Sequence, residues 1–183
     1  SFGAAKTRLQ EERMASFKNM VDYANQQKIN YLIIGGDLFD KTTMSDRKIR
    51  EVAQILQAFT GDLVLIIPGN HDFYESDPNT IWHKFKSHVD AEKIILLHDY
   101  QVFEHQTGNQ TIHFYPAGCR SKHSAENMIG WVKAAEKNKE ALNIGIAHGN
   151  VTGLGIDDAD RYFNMSDVEL EQAKMDLWLI GHI

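Results

Sequence analysis

A chain of 183 residues, 43% hydrophobic and with only three prolines, carries enough apolar surface for a large core and fits one domain. Its formal charge of −6 is not the footprint of a protein that grips nucleic acid unaided, since phosphate affinity comes from clustered Lys and Arg. No run approaches the roughly eighteen apolar residues of a membrane span, and the first residues lack the order of a secretory signal, so the expected compartment is the cytoplasm, with no membrane partner.

Apolar residues at Phe17, Met20, Val21 and Ala24 predict an amphipathic helix over 9–27, followed by a strand over Tyr31–Ile34 that runs into Gly35-Gly36-Asp37. A second helix is expected from Asp46 to Phe59, with Ile49, Val52, Ala53, Leu56 and Phe59 on one face. It leads into a strand over Leu63–Ile67 that ends on Pro68-Gly69-Asn70-His71-Asp72. Strand, helix and strand together predict a parallel, right-handed unit.

Residues 80–89 read as a shorter helix burying Ile81, Trp82 and Phe85. A strand over Lys93–Leu97 is next, with an antiparallel hairpin partner expected around Ile112–Tyr115 across the turn Thr107-Gly108-Asn109. Helical spacing returns over Glu126–Lys139 through Met128, Ile129, Val132 and Ala135. The run Ile144-Gly145-Ile146-Ala147 then enters His148. Ser166-Asp167-Val168-Glu169 has the capping-box order that opens a helix, and Leu177-Trp178-Leu179-Ile180 runs into Gly181-His182.

Four apolar runs thus stop on residues able to bind a metal, and the carboxyl ends of buried strands are where α/β proteins place ligands. Each ending alone has a plain structural reading, as an Asx turn or a hydrogen-bonded core histidine. Their conjunction at the strand ends of one sheet points to a metal site. Cys119 stands alone, which excludes an internal disulfide and a thiolate zinc site and leaves oxygen and imidazole as ligands. A carboxylate can bridge two cations, and Asp37 is the natural bridge; an amide oxygen and imidazoles suit manganese, iron or zinc. His71 is placed to protonate a leaving alkoxide or to stabilise phosphoryl charge. Asp40 reads equally as an orienting carboxylate or a solvated loop acid, and Asp72 as a brace for its turn through backbone amides. Arg120-Ser121-Lys122-His123 is the one small basic cluster, which reads either as a contact to a phosphate backbone or, more often for such a run, as a solvated loop.

These residues resemble the calcineurin-like metallophosphoesterases. Gly36-Asp37-Leu38-Phe39-Asp40, Gly69-Asn70-His71-Asp72, His148 and Gly181-His182 match that family's motifs in order, and the wording Gly-Asp-Leu-Phe-Asp is most similar to its SbcD-type DNA repair nuclease branch. The resemblance implies a four-layer α/β/β/α sandwich. It implies two divalent metal ions, most often Mn2+, with Asp37 bridging them, Asn70, His148 and His182 on the second, and His71 catalytic. It further implies a dinuclear-metal phosphodiesterase acting on DNA as an exo- or endonuclease in repair or recombination, beside an SbcC-like ATPase. The family's Asp-x-His is not found here and the closing His of Gly-His-x-His would follow Ile183, so a strand is expected beyond each end of the sequence. Two alternatives stand beside the nuclease: a metallophosphoesterase acting on a nucleotide, a lipid-linked phosphodiester or a phosphoprotein, which the acidic balance favours, and a non-catalytic scaffold, against which the polar pocket argues.

Overall fold

The structure is a computed structural model that describes residues 2–153 and 161–182. Its class is mixed α/β, with two sheets and flanking helices, consistent with the fold that the resemblance implies. In chain order the elements are α1 (Phe2–Gln26), β1 (Tyr31–Ile34), α2 (Asp46–Gln57), β2 (Leu63–Ile66), α3 (Ile81–Lys86), β3 (Ile94–Leu96), β4 (Phe103–Thr107), β5 (Gln110–Ala117), α4 (Gly130–Ala134), β6 (Leu142–His148), α5 (Asp167–Gln172) and β7 (Leu177–Gly181). No described helix is long and apolar enough to cross a membrane.

One compact unit gathers the chain up to Ile33 with Thr43–Leu65 and Pro78–Ile95. It holds α1, α2 and α3 and most of a three-stranded sheet of order β1-β2-β3. The amphipathic stripe of α2 buries Ile49, Val52, Ala53 and Leu56, each aliphatic side chain contributing about 1.5–3 kcal/mol of transfer free energy. Helix α1 starts earlier than the apolar spacing predicts. It buries Val21 and Ala24, while Met20, about 40° round the helix from Ala24 on the side away from Val21, is 44% exposed. Helix α3 is shorter than expected but buries the expected Ile81, Trp82 and Phe85. It stops where Ser87 caps Lys84 through a 2.6 Å hydroxyl bond.

The second unit comprises Ile34–Thr42, Ile66–Asp77 and the chain from Leu96 onward. Its four-stranded sheet has the order β4-β5-β6-β7, antiparallel between β4 and β5 and parallel from β5 to β7. The core on this sheet joins Tyr115, Ala117, Ile129, Val132, Ala147, Met165 and Ala173.

Two sequence expectations are corrected here. The hairpin partner of β5 is β4, not the strand over Lys93–Leu97, which belongs to the other sheet as β3. Phe103-Glu104-His105-Gln106-Thr107 is too polar to announce a strand, yet the expected turn is real, with Thr107 paired to Gln110 around Gly108 at φ 57°. The helix expected over Glu126–Lys139 is reduced to α4. Ser124 Oγ and Asn127 Oδ1 take the N–H groups of Glu126 and Ile129, holding the approach in turns, and Ala135 is already extended at ψ 141°. Lys137 Nζ then donates to the Ala135 carbonyl at 2.6 Å. The capping box at Ser166 forms as its order predicts, with Ser166 Oγ accepting from Glu169 N–H and the Glu169 carboxylate from Ser166 N–H.

Candidate metal centre

All the residues singled out by their strand-end positions fall in the second unit. The four strands they follow belong to two sheets rather than one, Asp37 and Asn70 coming after β1 and β2, His148 and His182 at or after the ends of β6 and β7. The strands are also not uniformly buried. β2 and β6 are, but β1 and β7 are edge strands of intermediate exposure, and Leu177 is 47% exposed.

After β1 the backbone turns through two successive left-handed residues, Gly36 at φ 98° and Asp37 at φ 54°. For a residue with a Cβ this conformation costs on the order of 1–2 kcal/mol and persists only where neighbours enforce it. Asp72 enforces it. Its carboxylate accepts the N–H groups of Gly69 at 2.6 Å, Asp37 at 3.3 Å and Phe39 at 3.0 Å, and it lies fully buried. Burial pushes its pKa up to about 6 in spite of those donors. In return Asp37 Oδ1 accepts the N–H of His71 at 2.9 Å, so each loop's carboxylate holds the other loop's backbone. Gly69 leaves the space this clasp needs, since a Cβ there would stand 2.2 Å from Asp37 Oδ1.

His148, 3% exposed, is oriented by the Gly35 carbonyl, which takes its Nδ1–H at 2.7 Å. That tautomer turns Nε2 toward Asn70 Oδ1 at 3.0 Å and Asp37 Oδ2 at 3.4 Å. Burial opposes a charge on this imidazole, but the Asp37 carboxylate outweighs it and holds the pKa above the ordinary value. Burial likewise opposes the Asp37 charge, and its bonds to His148 and to the His71 N–H overcome that and lower its pKa.

Two oxygens, Asn70 Oδ1 and Asp37 Oδ2, therefore lie within 3.4 Å of His148 Nε2, an arrangement that a positive charge beside the imidazole, a proton or a metal cation, stabilises. Ligand atoms about 2.1 Å from one cation and at right angles to each other are about 3 Å apart, so the spacing suits a metal. His182 supports the same conclusion. Its ring lies 5.4 Å from that of His148 at 85°, its Nδ1 is buried with no hydrogen-bond partner among the described residues, and burial, with the nearby His148, lowers its pKa. Among the described residues, however, no three His, Cys, Asp or Glu side chains are assembled around one ion. The atoms in contact are one carboxylate, one imidazole and the Asn70 amide, with His182 at ring distance.

The side chains of His71 and Asp40 are exposed, and it is the carbonyl of Asp40 that meets His71 Nδ1, at 3.4 Å. Close backbone approach completes the geometry. Gly149 donates to the Gly181 carbonyl at 3.0 Å, and a Cβ on Gly181 would stand 2.1 Å from the carbonyl oxygen of Gly35. Sequence reasoning missed Tyr162, whose ring lies 5.6 Å from that of His182, and it missed that the basic Arg120–His123 segment borders the centre through Asn70 Nδ2–H on the Lys122 carbonyl at 3.4 Å. Neither lies at the end of an apolar run, so periodicity offers no signal for them.

The family model described as calcineurin-like phosphoesterase matches residues 10–183. A curated relative, "Uncharacterized metallophosphoesterase YhaO" of Bacillus subtilis (strain 168), is 25% identical over 186 residues, covering 96% of this chain and 42% of its own length. The chain thus spans less than half of the curated relative it matches.

Proposed function

Since this chain belongs to the calcineurin-like phosphoesterase family, whose members are metal-dependent phosphoester hydrolases that generally use two divalent ions, we propose that it is the hydrolytic part of a DNA-cleaving phosphodiesterase of the SbcD type. The observation that carries the reading is the approach of Asn70 Oδ1 and Asp37 Oδ2 to His148 Nε2, beside a His182 Nδ1 that has no hydrogen-bond partner among the described residues.

When bound, two divalent ions, manganese in this reading with iron or zinc as alternatives, supply the charge that polarises the phosphoryl oxygens and acidifies a water. Asp37, Asn70, His148 and His182 would hold the ions, with the Asp37 carboxylate shared between them. The Gly35 carbonyl fixes the His148 tautomer so that Nε2 is the ligand atom, a role that a bonded partner on the far nitrogen commonly plays. His71 is carried on the same turn as Asn70 and steadied by the Asp40 carbonyl; its exposed ring donates a proton to the leaving oxygen or stabilises charge on the phosphoryl group. Asp72 holds both loops in register and touches neither ion. The whole protein acts in DNA repair or recombination, in the cytoplasm, beside an ATPase of the SbcC kind.

The test is manganese-dependent cleavage of linear and hairpin DNA by the full-length protein. Asp37→Ala and His71→Ala should each lower the rate by at least about a hundredfold, and undiminished cutting in either overturns its assigned role. The charge of −6 favours a second reading in which the same centre acts on a nucleotide, a lipid-linked phosphodiester or a phosphoprotein. Faster turnover of such small or protein substrates than of DNA selects it.

A further inference from the structure

The segment from Gly118 to Ser124 is hydrogen-bonded to the centre's loops at Cys119 and Lys122 and to the Tyr162 strip at Ser124. Cys119 donates its N–H to the Pro68 carbonyl at 2.9 Å, just before the Gly69-Asn70 turn, and its carbonyl accepts Tyr74 N–H at 3.0 Å. Asn70, whose other amide atom faces His148, donates to the carbonyl of Lys122. At the far end Ser124 bonds both ways with the strip carrying Tyr162, its N–H to the Arg161 carbonyl at 3.0 Å and its carbonyl from Phe163 N–H at 3.1 Å. Rings follow the same path outward. From His148 to His182, Tyr162 and His123 the successive centroid separations are 5.4, 5.6 and 5.9 Å, leading from a buried imidazole to an exposed one.

The cations on this segment are not equivalent. Arg120 is engaged, lying 4.3 Å over the Tyr100 ring with its Nη2 toward the His98 carbonyl at 3.4 Å and the Asp99 carboxylate at 4.0 Å. Lys122 and His123 are exposed, and among the described residues no carboxylate pairs with either. A chain of charge −6, whose centre holds Asp37, thus keeps a lysine that no carboxylate among the described residues pairs with, on a backbone whose carbonyl accepts from one of the proposed ligands.

We propose that Lys122 and His123 form a subsite for the phosphate adjoining the one that is cut, so that the substrate is a run of linked phosphodiesters rather than a lone phosphoester. This rests on the phosphodiesterase reading above. A phosphate one unit along the strand needs a cation beside the centre but outside it, on rigid backbone, and charge-assisted contact of this kind outlasts competition from water only where the donor is held in place. Lys122 meets that requirement and Arg120, already satisfied, does not.

The test compares the full-length protein with Lys122→Ala, His123→Ala, Lys122→Arg and, as a control away from the centre, Lys139→Ala. The two probes are a labelled single-stranded oligonucleotide and bis(p-nitrophenyl) phosphate, which has a single phosphodiester. Lys122→Ala should lower kcat/KM for the oligonucleotide relative to the small diester by about tenfold, mainly through KM, with Lys122→Arg restoring most of it and Lys139→Ala without effect. Anisotropy titrations should show the slope of log affinity against log salt reduced by about 0.7, one single-strand phosphate contact. An unchanged substrate ratio and salt slope in Lys122→Ala overturn the subsite while leaving the phosphodiesterase standing. Failure of the unaltered protein to cut either probe overturns the phosphodiesterase instead, and the salt slope of oligonucleotide binding then decides the subsite alone.

Discussion

The carboxylate of Asp72 accepts the backbone N–H of Phe39 at 3.0 Å across 33 residues of chain, and through the same side chain Gly69 and Asp37 are held as well. A single buried acid thus sets the backbone of both loops that carry Asp37 and Asn70. Asp72→Ala leaves three N–H donors without their acceptor, and each buried donor so stranded costs about 1–3 kcal/mol. A loss of at least about 2 kcal/mol at pH 7 is expected in urea unfolding of the metal-free protein. Weakened manganese binding should accompany it, although Asp72 touches no proposed ion.

The glycines divide by what surrounds them. Gly69→Ala drives a methyl into Asp37, 2.2 Å from Oδ1 and 2.3 Å from the backbone nitrogen, and should abolish metal binding measured by calorimetry. Gly108→Ala, at φ 57° in an open turn with nothing within 4 Å, should cost about 1 kcal/mol through its backbone alone and leave metal binding intact. Equal effects of the two substitutions would refute the steric account.

The two histidines of the centre should separate in stability and converge in metal affinity. His148→Ala removes a buried ring bonded to Gly35 and Asn70 and should cost about 2 kcal/mol or more in chelator. His182→Ala removes a ring whose Nδ1 has no hydrogen-bond partner among the described residues and should cost less than about 1 kcal/mol, because no hydrogen bond from that atom is lost. Both variants should bind manganese at least about tenfold more weakly. A His182→Ala protein with undiminished affinity removes that residue from the ligand set.

The capping box of α5 supplies an acid-labile element. Backbone bonding from Ser166, ahead of the contact with Asn127, holds the Glu169 carboxyl below its ordinary value of 4.5. A depressed carboxylate contributes stability that is complete above its unfolded pKa and is lost as pH falls through its folded one. Thermal unfolding followed from pH 6 downward should therefore show the advantage of the native protein over Glu169→Gln constant above about pH 5 and shrinking below about pH 4.5. A difference that stays flat across that range rules out the charge as the source.

Much of this architecture was legible from local chemistry. The stripe Ile49, Val52, Ala53 and Leu56 needed only a helical period, and Ser166 with Glu169 needed only its own backbone. The strand ends were legible too, because Asn70 and His148 interrupt apolar runs where no core has use for polar atoms. What escaped depends on partners distant in sequence. The reach of Asn127 to Asn164 and Glu169 helps keep 126–129 out of a helix, and those partners lie some 40 residues onward. β4 is a strand because β5 pairs with it, not because of its own residues. The division of the four ligand-bearing strands between two sheets has no signature in any of the runs. The position of Tyr162 beside His182 depends on backbone bonds to Ser124 and Asn150, which no periodicity encodes.

Gly35 and Gly181 meet backbone to backbone, so that a methyl on Gly181 would stand 2.1 Å from the Gly35 carbonyl oxygen, while one on Gly35 would sit tightly at 3.2 Å from Gly181. Ordinary crowding between side chains can be relieved by trimming the neighbour, and a second-site suppressor then restores function. Here neither residue has anything left to trim. For Gly181→Ala, reversion, or displacement of a whole strand end together with the His182 it carries, is the only escape, and a suppressor screen begun from that variant should yield true revertants almost exclusively.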